Sequence, residues 1–256
     1  MKLAGHTGDV TLVTITPDHK HIHVGQLLRG HSDVVRSVVC SADSNIIVSG
    51  LEDRTVCIWD AQTGQEVVPS PLREHTSNVL SVAISPDGSQ IVSGSANGVI
   101  HVWNTKTGGL AVPPLKGHTG VEVMTMMGHK DGVWSEAISP DGLKIASGLW
   151  DRTAQIWDAK TGEEIGAPLQ GHTDDVNSVI FSPNSKYIVS GSNDMTLRIW
   201  NVESGRQVQK LLWGHMGMVW SVALSSNGKF LVSSSHDNTI QVWDGELALS
   251  DEVRHV

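Results

Sequence analysis

The sequence predicts an all-β fold assembled from near-identical four-stranded units. Three observations carry that expectation. A unit that opens on a histidine and closes on a tryptophan occurs five times, His31 to Trp59, His75 to Trp103, His129 to Trp157, His172 to Trp200 and His215 to Trp243, always with the same internal spacing. Inside each unit lie three short apolar-alternating runs, rich in β-branched residues and separated by turn formers. No stretch shows helical periodicity. A period of about 43 residues marks a repeat architecture, in which one unit cannot bury both of its faces and neighbours must stack.

Taken in order, residues 1–29 read as a damaged copy. Gly5-His6 opens it and VTLVTITPD resembles a first strand and turn, but no closing Trp follows. The next copy predicts strands at Val34–Val39, Asn45–Ser49 and Thr55–Trp59, with EVVPSPL as a fourth. The copy from His75 adds an SPDG turn, where Pro and Asp suit the start of a type I turn and Gly takes the left-handed position. Gly117-His118 then opens a unit that stops when Gly128-His129 opens another, so residues 117–128 read as a truncated remnant. The last three copies are regular, and GELALSDEVRHV offers a final outer strand.

The totals narrow the function. A net charge of -9 lacks the basic footprint expected of a nucleic-acid partner. Two cysteines, Cys40 and Cys57, are too few for a disulfide framework and predict a reduced, intracellular setting. No apolar run reaches membrane-spanning length, and MKLAGHTGDV lacks the apolar core of a signal peptide. The expected location is the cytoplasm, with the nucleus as the secondary alternative.

Aligning the copies on the histidine exposes further fixed columns. One is always serine: Ser49, Ser93, Ser147, Ser190 and Ser233. Another reads Asp53, Asn97, Asp151, Asp194 and Asp237. Together with the histidines and the closing tryptophans, these columns resemble the WD40-repeat family of β-propellers. The resemblance is strong over residues 30–244, and copies this alike, with SPDG and D-A-x-T-G turns, are similar to the arrays of fungal NACHT-type incompatibility proteins. No G-x-x-x-x-G-K-[ST] loop accompanies them here. The resemblance implies a propeller of five complete blades (30–74, 75–116, 129–170, 171–213 and 214–249) and an incomplete sixth, with ring closure left open.

It also implies a tetrad inside each blade. A buried indole N–H needs an acceptor, serine can supply it and pass a bond to the imidazole, and Asp can fix the tautomer. Asn97 departs from the pattern and predicts the weakest blade. Five identical Ser-His-Asp sets, each ending on Trp, describe a building unit and not a hydrolytic triad. His19, His21 and His23 would share one face of an extended segment, but without a fourth ligand they do not define a metal site. No metal and no cofactor is expected.

The remaining tryptophans point to a partner. Trp134 and Trp220 share a column five residues after the histidine, and Trp150 stands just before the Asp column; Trp213 falls in an outer run. In the resembled family these columns, with the one three residues after the histidine, crowd the channel end of the blades and contact partners. Carried onto this chain, they give Arg36, Glu52, Leu80, Trp134, Trp150, Asp175, Met218, Trp220 and His236 as candidate protein-binding residues. Aromatic, Met and Arg side chains are the types enriched at interface cores. The expected function is therefore a non-catalytic scaffold that binds proteins or peptides, with no nucleic-acid or membrane partner. The rivals are a hydrolase-like enzyme at the channel mouth, for which Glu52, Asp175 and His236 are the unrepeated titratable set, and a decayed fragment of a larger array.

Overall fold

The computed structural model describes residues 33–67, 71–111, 132–208 and 212–245. The damaged copy at 1–29 with His19, His21 and His23, the remnant at 117–128, the opening residues His31 and His129, and the tail lie outside the described residues. The chain divides into two compact units, Met1–Met127 and Gly128–Val256.

The first unit holds two antiparallel sheets. One consists of β1 (Val35–Cys40), β2 (Ile46–Leu51) and β3 (Val56–Asp60), the other of β4 (Val79–Ile84), β5 (Gln90–Ser95) and β6 (Ile100–Asn104). The second unit holds three. They are β7 (Val133–Ile138), β8 (Lys144–Leu149), β9 (Thr153–Asp158) and β10 (Leu169–Gln170); then β11 (Val176–Phe181), β12 (Tyr187–Ser192) and β13 (Leu197–Asn201); then β14 (Val219–Leu224), β15 (Phe230–Ser235) and β16 (Ile240–Asp244). The expected strands lie within one or two residues of these. The expected fourth strand is reduced. Among the described residues only Leu169–Gln170 forms one, against β9, and isolated bridges such as Trp59 with Glu66 and Trp200 with Gln207 are described in other copies.

Both hairpins of each sheet are set by side chains that cap their own turns. Ser41 accepts the Ile46 N–H at 3.0 Å and donates to Asp43 at 2.6 Å, and Ser139 and Ser182 repeat this with Asp141 and Asn184. The second hairpin puts one residue into the left-handed region in every copy: Arg54, Gly98, Arg152, Met195 and Asn238, with φ from 64° to 80°. Only Gly98 adopts it without steric cost.

The core lies between successive sheets. Val48, Val56 and Ile58 on one face of β1–β3 pack against Val79, Val82 and Ile91 of β4–β6. In the second unit Ala146, Ala154 and Ile156 meet Val176, Val179 and Ile188, and Tyr187, Val189, Leu197 and Ile199 meet Val219, Val222 and Leu231. A glycine makes each approach possible. A Cβ built on Gly50 would come within 2.7 Å of Val79, and one on Gly191 within 2.7 Å of Val219. One hydrogen bond recurs at the seam, from Val82, Val179 and Val222 N–H to Ser37, Ser135 and Ser178 Oγ, each at 3.1 Å.

The last sheet departs from this scheme. Phe230, Ile240 and Val242 occupy the positions of Tyr187, Leu197 and Ile199, yet they are 56%, 71% and 65% exposed. Ser234 stands where Gly50, Gly148 and Gly191 stand in other copies, so a neighbouring blade cannot approach in the same register. The two faces should respond differently to one change. Ile199→Thr removes a fully buried side chain and should cost roughly 2–4 kcal/mol, whereas Val242→Thr should shift stability by no more than about 0.5 kcal/mol; urea denaturation of both variants measures this, and equal losses would contradict the packing.

Candidate functional site

The fixed columns form one directed relay in the two copies described from histidine to tryptophan with an Asp. Trp200 Nε1–H donates to Ser190 Oγ at 2.9 Å, Ser190 lies 2.7 Å from His172 Nε2, and His172 Nδ1 lies 2.8 Å from Asp194 Oδ2. Trp243, Ser233, His215 and Asp237 repeat it at 3.0, 2.7 and 3.0 Å. An ionised carboxylate only accepts, so Nδ1 carries the proton; Nε2 is then an acceptor and the serine hydroxyl donates to it. Every donor in the chain thus has an acceptor, the condition under which a buried polar network is rigid.

A fifth member was not anticipated from the sequence. Thr196 Oγ1 donates to Asp194 at 2.6 Å and Thr239 Oγ1 to Asp237 at 2.6 Å, and Thr55 and Thr153 do the same for Asp53 and Asp151. The signal was present, because the threonine keeps a constant distance from the Asp column in four copies. Burial opposes ionisation of Asp194, but bonds from His172, Thr196 and Thr173 outweigh it and hold the carboxyl well below the usual range. The Thr239 hydroxyl, with the Met216 N–H and His215, holds the Asp237 carboxyl low as well. Burial pushes His172 down despite its Asp194 partner, so it stays neutral at neutral pH.

The copy with Asn97 breaks the relay, because the amide does not accept from the imidazole. Asn97 donates to Thr76 Oγ1 at 2.9 Å and accepts from the Ser95 hydroxyl, while His75 Nδ1 is buried without a partner. Val99 replaces the threonine in the same copy, so the threonine hydroxyl that donates to the carboxylate elsewhere is lost as well. His75 keeps its Ser93 bond at 2.7 Å, and its ring packs edge-on against buried His101 at 4.4 Å. Burial first, and then His101, push the His75 pKa down to about 3.

The candidate protein-binding residues lie at the ends of the strands that carry these relays. The residue three after the histidine accepts, through its carbonyl, the N–H of the residue before the Asp column: Glu52 to Val34 at 3.0 Å, Asn193 to Asp175 at 2.9 Å and His236 to Met218 at 2.9 Å. The residue five after the histidine is a bulge. In all five sheets the register shifts across it, at Arg36, Leu80, Trp134, Asn177 and Trp220. A bulge leaves one residue out of the ladder and re-aims its side chain. In four of the five sheets it is re-aimed onto the residue before the Asp column, and the two form a pair.

The pairs differ in chemistry from copy to copy. Arg36 donates from Nε to Glu52 Oε1 at 2.6 Å. Asn177 donates to Asn193 Oδ1 at 2.7 Å and to Val219 O at 2.8 Å in the next blade. Trp134 and Trp150 lie 5.4 Å apart with ring planes at 49°, and Trp220 and His236 6.3 Å apart at 55°. Leu80 is half-buried and has no such polar or aromatic counterpart, since Ala96 faces its column. Glu52 is thus occupied by Arg36, Asp175 accepts from Asn193 at 3.4 Å, and His236 lies tilted against Trp220, so the unrepeated titratable residues are each engaged within their own blade. Among the described residues no group of three or more His, Cys, Asp or Glu could hold a metal ion.

A repeated blade locked by such a relay, with variable side chains at one end, defines a repeat-built interaction module. The chain belongs to the WD40-repeat family: the family described as WD domain, G-beta repeat, matches at residues 22–60, 67–104, 115–158, 163–201 and 205–244. It is 40% identical over 50 residues to the human serine-threonine kinase receptor-associated protein, covering 20% of this chain and 14% of that one. It is 39% identical over 46 residues to eukaryotic translation initiation factor 3 subunit I of Sclerotinia sclerotiorum, 18% and 14% of the two lengths. It is 38% identical over 50 residues to the ribosome biogenesis protein WDR12 homolog of Drosophila yakuba, 19% and 12%. The matches therefore span about one repeat and a small part of each relative. Family and relatives support a protein-interaction scaffold role.

Two substitutions test the relay. Asn97→Asp should give His75 Nδ1 an acceptor and stabilise the protein at pH 7 by roughly 1–3 kcal/mol; an unchanged melting temperature would refute the broken relay. The parent should also lose stability in acid. The folded His75 pKa of about 3 lies below the unfolded value near 6.5, so the unfolded chain takes up the proton as pH falls below 6.5. Between pH 7 and 5 this costs roughly 2 kcal/mol, and Asn97→Asp should reduce that loss. Asp194→Ala should cost roughly 1–3 kcal/mol by leaving a buried donor unpaired; an unchanged denaturation midpoint would contradict the assignment.

Proposed function

We propose that the chain is a non-catalytic protein-binding module whose partner docks on the strand ends that carry the bulged residues. The observation that supports this reading is the display of large apolar side chains there. Trp150 is 41% exposed, Met195 46% and Met216 88%, in the loops preceding a first strand or joining a second strand to a third, and Trp220, at the start of β14, is 48% exposed. Several exposed aromatic and methionine side chains at one end of the blades are unusual on a surface that meets only water. Indole rings supply large, rigid contact area, and thioethers adapt to irregular shapes.

The variable columns support the same reading. The relay positions barely change between copies, whereas the paired positions run from an ion pair through an amide pair to aromatic pairs. A scaffold needs the first pattern, and recognition uses the second. The names of the relatives, a receptor-associated protein, an initiation-factor subunit and a ribosome biogenesis protein, fit a module that works in company with other proteins. The net charge of -9 disfavours nucleic acid and anionic membrane as partners. No helix among the described residues is long and apolar enough to cross a membrane. We place the module in the cytoplasm.

The experiment is a pull-down from cell extract with the parent beside a Trp134→Ala/Trp150→Ala/Trp220→Ala variant whose fold is checked by circular dichroism. A protein captured by the parent and lost from the variant is expected. Trp220→Ala alone should weaken capture with little change in melting temperature, because Trp220 is half exposed. Identical lanes would overturn the reading.

A further inference from the structure

The second unit carries two aromatic pairs on the same strand ends, with a polar blade between them. Trp134–Trp150 belongs to β7–β9, Trp220–His236 to β14–β16, and the Asn177–Asn193 pair to β11–β13. The Asn177 amide reaches Val219 O, which sets the ends of the second and third blades side by side. The tilted faces of Trp134 and Trp150 expose π-electron density. The Trp134 indole N–H is buried and without an acceptor among the described residues.

The electrostatics of these loops are one-sided. Asp174 and Asp175 precede β11, and Asp194 and Asp237, whose carboxyls are held low, have hydroxyl, backbone and imidazole partners rather than Lys or Arg. The relays thus leave carboxylate charge at the end where the aromatic pairs are displayed. Arg152 is the one Lys or Arg in the described loops at this end of the unit. Carboxylates near a low-dielectric aromatic surface focus a negative potential. A cation over an indole face gains further attraction from the ring quadrupole.

Resting on the docking reading above, we propose that the partner presents Lys or Arg side chains to this surface, with a cationic head group set against the Trp134–Trp150 pair and the carboxylates of Asp174 and Asp175 supplying the countercharge. The Arg36–Glu52 pair of the first unit already satisfies its own charges and does not contribute.

Three fluorescein-labelled dodecapeptides of alternating sequence, Gly-Lys, Gly-Gln and Gly-Glu, serve as probes in fluorescence polarisation with the full chain. The Gly-Lys probe is expected to bind best, and to weaken by about tenfold as salt rises from low to physiological strength. Trp150→Ala, which leaves the charge unchanged, should weaken it by at least about fivefold. Asp174→Asn with Asp175→Asn should do so by about threefold or more. Glu163→Gln with Glu203→Gln, at exposed turns on the other end of the strands, should leave it unchanged. Equal weakening by the Glu163/Glu203 variant, or no effect of Trp150→Ala, would show general attraction to an acidic protein and overturn the proposal. If Gly-Lys binds no better than Gly-Gln while the extract pull-down still loses a protein in the tryptophan variant, the cationic partner is wrong and the docking surface stands. If both fail, both are wrong.

Discussion

The relay from tryptophan through serine and histidine to aspartate is the interaction on which the rest of each blade depends. It ties the third strand to the second through the indole, the second to the loop before the first through the imidazole, and that loop to the second hairpin through the carboxylate. The strands supply shape, and the relay supplies the one arrangement in which all its polar atoms are satisfied. Because Trp200, Ser190 and His172 are buried, no water can stand in for a missing member at small cost. The copy with Asn97 shows what a departure leaves behind: a buried ring nitrogen without a partner, beside a second buried histidine.

That rigidity is what allows the strand ends to vary. The bulge at the fifth residue after the histidine recurs in every sheet, and the carbonyl three after it clamps the facing turn in four copies. With the backbone fixed on both sides, the pair of side chains there can be an ion pair, two amides or two indoles without disturbing the blade. Buried and exposed positions are separated residue by residue along a single strand: in β14, Val219 and Val222 are buried against the neighbouring blade, while Trp220 between them is half exposed. The exposed face of β14–β16 is a second consequence of the repeat, since a unit built to be covered shows its apolar side where Ser234 keeps a like neighbour away.

Much of this was legible in the sequence, because the relay needs specific atoms at fixed positions and therefore fixed residues at fixed spacings. Ser190, Asp194 and Trp200 stand out through periodicity alone. The threonine beside each Asp was equally periodic, but it donates locally across a turn, and a residue common in strands did not announce itself. The pairing of Trp134 with Trp150 could not be read from spacing, because a bulge shifts the register and ordinary alternation places the two side chains on different faces. The behaviour of Asn97 was hidden for another reason: an amide has two competing partners, Ser95 and Thr76, closer to hand than the imidazole.

The central claim is that the chain divides its tryptophans into relay members and displayed residues, and hydrogen exchange of the indole N–H protons, resolved by NMR, tests it most directly. The account predicts slow exchange for Trp59, Trp103, Trp157 and Trp200, whose indoles donate to buried serines at 2.8–2.9 Å, and fast exchange for Trp150 and Trp220. Indoles that all exchange at one rate would contradict it.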